Sequence, residues 1–234
     1  MHAIGALQHR SPSTLHELIV GFGPPLLGPA HDVLAEFGNR HGNRRVLATQ
    51  LDDDALLDGV RGGRIDVALS AQTPDARDLE TERICCASMV VLMAADHELA
   101  ARACLSVDEI AGETFTGWHP EVSSEWADLC WLRARRGARP WRPRVALEAP
   151  RSAAEACSLV ASGRAITVVP TWLAGRCKSE GVVSIPLHDD DPLTVSVVRR
   201  CDDVRAIVRA FVHCARRAAG AHGAPTGGPL VAVG

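Results

Sequence analysis

The chain has 234 residues, 47% of them hydrophobic, with a formal charge of −3, no Tyr and only 4% aromatic residues. That length fits one large domain or two lobes of about 100 residues each. The near-neutral balance and the scarcity of aromatic rings exclude a globally basic surface and an aromatic platform for single-stranded nucleic acid.

Strand-like and helix-like segments alternate from the start. The run Leu18–Phe22 reads as a buried strand, and a Gly/Pro-rich turn follows it. Pro29 then stands where a first helical turn tolerates it, and Ala30, Val33, Leu34 and Phe37 recur at helical spacing. Arg45–Thr49 is a second strand. Asp52 or Asp53 caps a helix carrying Leu56, Leu57 and Val60, which Gly62 and Gly63 stop. Arg64–Ser70 is a third strand. This β-α-β-α-β run with short loops predicts a parallel sheet covered by helices.

The pattern then restarts. Two strand candidates, "RICCAS" and "MVVLMAA", lead to a capping box at Ser106–Glu109. "ETFTGW" is strand-like, a helix runs from Ser123 or Ser124 toward Arg136, and "RVALEA" is a strand. Ser152–Glu155 forms a second capping box, and "AITVVP", "VVSIP" and "LTVSVVRR" are strands. Asp202–Arg217 reads as a final helix with Val204, Ile207, Val208 and Phe211 on one face, before a Gly/Ala/Pro-rich tail.

Motifs for chemistry are sparse. Gly21, Gly23 and Gly28 echo a dinucleotide fingerprint, but Leu26 stands where its third Gly belongs, and no G-K-[ST] follows. Neither a G-x-S-x-G elbow nor H-E-x-x-H occurs. The eight Cys are scattered without a C-x-x-C pair, which predicts reduced thiols and no metal site or cofactor. No secretory core and no membrane-length apolar run is found. The expectation is a cytoplasmic chain with no membrane contact and no catalytic residues.

The stretch from Leu18 to Ser70 resembles the start of a LysR-type effector-binding domain. It has a strand ending in Gly, a helix, a strand, a second helix, and a strand carrying Gly63, Asp66 and Leu69 in a Gly-x-x-Asp-x-x-Leu pattern. The stretches "VVLMAADHELAAR", "SVDEIAGETFTGW" and "ALEAPRSAAEACSLVASGRAITVVPTWLA" match further segments of that family in order, so the likeness spans Leu18 to Arg217. It implies an α/β, two-lobed fold like type 2 periplasmic binding proteins, each lobe a mostly parallel sheet flanked by helices. Lobe I would be about 17–93 plus 198–218 and lobe II 94–197, with 1–16 a residual linker or disordered and 219–234 a disordered tail. It implies a small polar metabolite sensed between the lobes. It also implies a homodimer or higher oligomer that sets the helix Ala30–His41 near lobe II of the next chain. Only seventeen residues precede the first strand, too few for a three-helix DNA-reading module. DNA contact is therefore expected only through a helix-turn-helix absent from this chain.

On this likeness, the effector cleft is expected to draw on Gly23, Pro24 and Pro25 after the first strand. Asp52 and Asp53 stand where family members often place Ser or Thr; with one of them facing the cleft, a cationic or polyhydroxyl effector fits better than a simple carboxylate. From lobe II come Trp118, His119 and Glu121 in "GWHPEVSS", Arg151 and Ser152 at a helix start, and Val169 with Pro170 at a strand end. For each there is a plain structural alternative: a rigid turn at Gly23–Pro25, simple N-capping by the Asp pair, a Trp that anchors its loop, a solvated Arg. "RARRGARPWRPR" (Arg133–Arg144) packs six Arg around Trp141 and reads as a solvated edge of lobe II, or a contact for DNA or an acidic partner. Two functional alternatives stay open, a stand-alone solute-binding protein and an enzyme on the same bilobed fold.

Overall fold

The computed structural model describes residues 17–23, 26–71, 74, 77–116, 144–148, 150–175, 180–188 and 192–220. The expectations for Pro24, Pro25, Trp118, His119 and Glu121 lie outside the described residues, as do the helix toward Arg136, nearly all of the Arg-rich stretch and both termini.

The first half follows the predicted alternation. β1 (Glu17–Phe22) pairs in parallel with both β2 (Arg45–Gln50) and β3 (Val67–Ser70). α1 (Leu27–His41) and α2 (Asp53–Arg61) make the two crossovers. β4 (Leu79–Ala87) and the late strand β10 (Leu193–Arg200) complete a five-stranded sheet in the order β2-β1-β3-β10-β4, with β10 running against its neighbours. Alternation along β1 explains the layering. Leu18, Val20 and Phe22 face the main core with Val33, Phe37, Val208 and Phe211, whereas Ile19 faces the α2 side with Leu56, Leu57 and Val60.

The second half repeats the plan. β5 (Met89–Ala94) pairs antiparallel with β8 (Thr167–Pro170) and with β9 (Val182–Pro186). β6 (Thr114–Phe115) and β7 (Arg144–Val145) form a parallel pair, and a parallel bridge from Phe115 to Ile166 joins them to β8. The resulting order, β7-β6-β8-β5-β9, mirrors the first sheet. In each half, three parallel strands are closed by an antiparallel strand arriving from the other half. Both sheets keep the 2-1-3 arrangement that places ligand-binding turns at the carboxyl ends of the strands.

The sheets therefore change at Ser88, between β4 and β5, and on return between β9 and β10. The expected divisions at 93/94 and 197/198 each fall later than this. β5 in full hydrogen-bonds into the second sheet, and β10 in full into the first. The continuous apolar run of "MVVLMA" hid this change, because a strand buried on both faces looks the same in either sheet.

The short helix α3 (Val107–Ile110) opens with the predicted capping box of Ser106 and Glu109. α4 (Ala153–Ala161) is capped by Ser152, and α5 (Thr171–Ala174) follows β8 directly. The last helix, α6 (Ala206–Gly220), starts later than expected and ends later. Asp203 accepts the backbone N–H of Arg205, a turn that holds the chain out of the helix until Ala206. Val204 consequently stands 70% exposed instead of joining the buried face. α6 packs on α1 through Phe211 and Phe37, whose ring centroids lie 5.5 Å apart. Among the described residues, no helix is long and apolar enough to cross a membrane.

Candidate functional site

In the first half the carboxyl ends of β1 and β2 lie side by side, with Phe22 opposite Gln50. Gly23 is buried, donates its N–H to Leu69 O at 3.4 Å, and accepts from Leu26 N at 2.9 Å. α1 then begins without a side-chain cap, and Pro29 in its first turn has no N–H to offer. The neighbouring turn is richer in charge. Asp52 is the residue that caps α2, accepting from Ala55 N at 2.8 Å while remaining exposed. Asp53 is the first residue of the helix.

In the second half, Ser152 caps α4 by accepting from Glu155 N at 3.2 Å. The Glu155 carboxylate reaches back past the cap to the Arg151 N–H at 2.8 Å. Arg151 and Ser152 are both exposed. Glu148 pairs with Arg164 on the same flank, beside a groove of about 400 Å³ that also involves Pro150 and Glu155. Val169 is 1% exposed and packs with Val90, Leu92, Cys157 and Val160, so its side chain belongs to the core. Pro170 is buried as the residue before α5.

Gly23 thus follows β1 and Asp52 and Asp53 follow β2, while Arg151 and Ser152 precede α4 and Pro170 is the last residue of β8. The structure also adds a residue that sequence reasoning passed over. Thr116 immediately follows β6, is 2% exposed, and its hydroxyl has no hydrogen-bond partner among the described residues. A buried, unpartnered hydroxyl is costly, so a ligand atom is a natural partner for it. The sequence signal was its place immediately after the strand "TF", at a carboxyl end. Among the described residues no group of three His, Cys, Asp or Glu is arranged to hold a metal ion.

Residues 16–220 match the family model described as "LysR substrate binding domain". No curated protein matches the sequence significantly. Several solved structures share the fold. Full-length CbnR, crystallised with its target DNA, is 20% identical and superposes with a TM-score of 0.71, covering 87% of this chain and 70% of that one. The BenM effector-binding domain with its effector benzoate is 17% identical (TM-score 0.73), covering 90% of this chain and 96% of that one. The reduced OxyR regulatory domain from Pseudomonas aeruginosa is 18% identical (TM-score 0.71), with coverage of 88% and 100%.

Proposed function

We propose, from the premise that this chain belongs to the LysR substrate-binding domain family, that it binds a small polar effector between its two halves as the sensory part of a transcriptional regulator. The family is one of regulator domains, and we assign no catalytic role. The effector biases the relative orientation of the halves by binding one arrangement more tightly than another. In a full regulator that bias would reach DNA through a helix-turn-helix module in the cytoplasm.

The observation that carries the choice of effector is the charge at the helix starts. Asp52 and Asp53 open α2, and Glu155 sits in the first turn of α4. The Asp52 and Glu155 carboxylates thus accept backbone N–H groups that would otherwise receive an anion. A neutral polyhydroxyl or a cationic metabolite fits this arrangement, with Thr116 supplying a hydroxyl and Gly23, Pro24, Pro25, Trp118, His119, Glu121, Arg151, Ser152 and Pro170 as the surrounding expected contacts.

A thermal-shift screen against sugars, polyols, amines and carboxylates tests this. A ligand at 100-fold its Kd raises stability by about 2.7 kcal/mol. The increment should shrink in Asp52→Ala and Thr116→Val, each measured against its own ligand-free baseline. Hits confined to carboxylates, or hits indifferent to both variants, would sink the assignment.

We also assign a homodimer to this chain. Among the described residues β2 and β7 are edge strands; Leu47 on β2 is 41% exposed, and Val145 on β7 and Leu147 just beyond it are 51% and 101% exposed. Sedimentation should show a dimer that Leu147→Asp weakens, and a monomer at high concentration would overturn it.

A further inference from the structure

We infer that Trp172, seated on Gly28, is a bearing between the two halves that sets their relative orientation and so limits how far the effector cleft closes. This rests on the cleft reading above but concerns what limits the cleft, not what fills it. Gly28 is a buried residue in the first turn of α1, behind the first sheet's β1 turn. Trp172 lies on α5, which follows β8 of the second sheet. α1 and α5 touch across the two halves. A Cβ placed on Gly28 would lie 3.4 Å from Trp172 Cδ1, 3.7 Å from Cγ and 3.8 Å from Cβ. The indole therefore rests against bare helix backbone.

Two features make this contact mechanical. Gly28 is not in a left-handed conformation, and glycine is among the poorest residues for a helix. What it supplies is the absence of a side chain beneath the indole. The start of α5 is also tied to the crossover, because Thr171 N donates to Ser88 O at 3.0 Å. Ser88 is where the chain passes from the first sheet to the second. A change in the relative orientation of the halves alters how the Trp172 indole sits on Gly28. Packed contacts of this kind change between discrete arrangements, not continuously.

The test needs no effector. The protein is labelled with fluorotryptophan, giving five fluorine resonances from its five Trp, and the Trp172 line is assigned by its loss in Trp172→Phe. Gly28→Ala should leave that line and the radius of gyration by small-angle scattering close to wild type, because a methyl group fits at van der Waals distance. Gly28→Leu should shift the Trp172 line and enlarge the radius of gyration. That enlargement should vanish when Gly28→Leu is compared in a Trp172→Ala background. An unmoved Trp172 line in folded Gly28→Leu, or an enlargement that persists without the indole, overturns the bearing. Should Gly28→Leu fail to fold by circular dichroism, Trp172→Ala decides alone. Its scattering curve is expected to differ from wild type, and an identical curve overturns the inference. A thermal-shift hit together with an unmoved Trp172 line would sink the bearing and leave the effector reading standing. A moved line with no hit would do the reverse.

Discussion

Asp66 and Arg205 meet where the first strand begins: Arg205 Nη2 donates to Asp66 Oδ1 at 2.5 Å, while Asp66 Oδ2 accepts the Ile19 N–H at 2.8 Å. One carboxylate, 1% exposed, thereby ties β1 to the turn that launches α6. Removing Asp66 leaves the buried Ile19 N–H without its acceptor and Arg205 with Asp203 alone, a loss of about 1–3 kcal/mol. Asp66→Ala should lose stability of that order in urea unfolding, and Asp66→Asn, which can still accept from Ile19, should lose less. Equal losses in the two variants would mean that the charge is irrelevant there.

Arg205 grips Asp203 as well, and this sets an acid limit. Burial pushes the Asp203 carboxyl up, but hydrogen bonds from the Arg205 side chain and backbone, with the charges of Arg205 and Arg200, more than reverse it. The folded value lies below the unfolded one, which is about 3.9. The stabilisation is therefore complete above the unfolded value and is lost as pH falls through the lowered folded value. Urea midpoints from pH 7 down to pH 3 should fall more steeply in acid for the wild type than for Asp203→Asn. Parallel acid limbs would refute the assignment.

Cys85 is a poor nucleophile. Burial first, and the neighbouring Cys86 second, push its thiol up to about 11. At pH 8 only about one thiol in a thousand would be ionised. Iodoacetamide followed by peptide mass spectrometry should label exposed Cys201 well before Cys85. Comparable labelling rates would show that the strand opens readily.

Gly21 lets α2 lie against β1. A Cβ there would clash with Leu56 Cδ1 and come within 3.0 Å of Ile65 Cδ1, both side chains being nearly or fully buried. Overpacking of this kind costs about 1–3 kcal/mol, so Gly21→Ala should lower the unfolding free energy by that amount. A neutral Gly21→Ala would mean that α2 can move off the sheet freely.

Much of this architecture was legible because local signals agreed. The caps at Asp52, Ser106 and Ser152 and the alternation in β1 each fixed an element on their own. The family likeness gave the bilobed fold, and the match over residues 16–220 bears it out. What resisted reading were features set by distant partners. Val169 looked like a cleft residue because it ends a strand, yet its side chain faces α4. Val204 kept helical spacing, yet Asp203 and Arg205 form a turn that ends the pattern. Thr116 carried no signal beyond its place at a strand end.

The sequence by itself determined the order of the main strands and helices, where the caps fall, and that carboxylates open α2 and the first turn of α4, because these depend on residues a few positions apart. Only the tertiary structure decided which sheet β5 and β10 join, that Asp66 binds Arg205 across 139 positions, and that Trp172 rests on Gly28. Those choices depend on pairing and packing between segments far apart in the chain, and a residue's neighbours in sequence exert no force that distinguishes them.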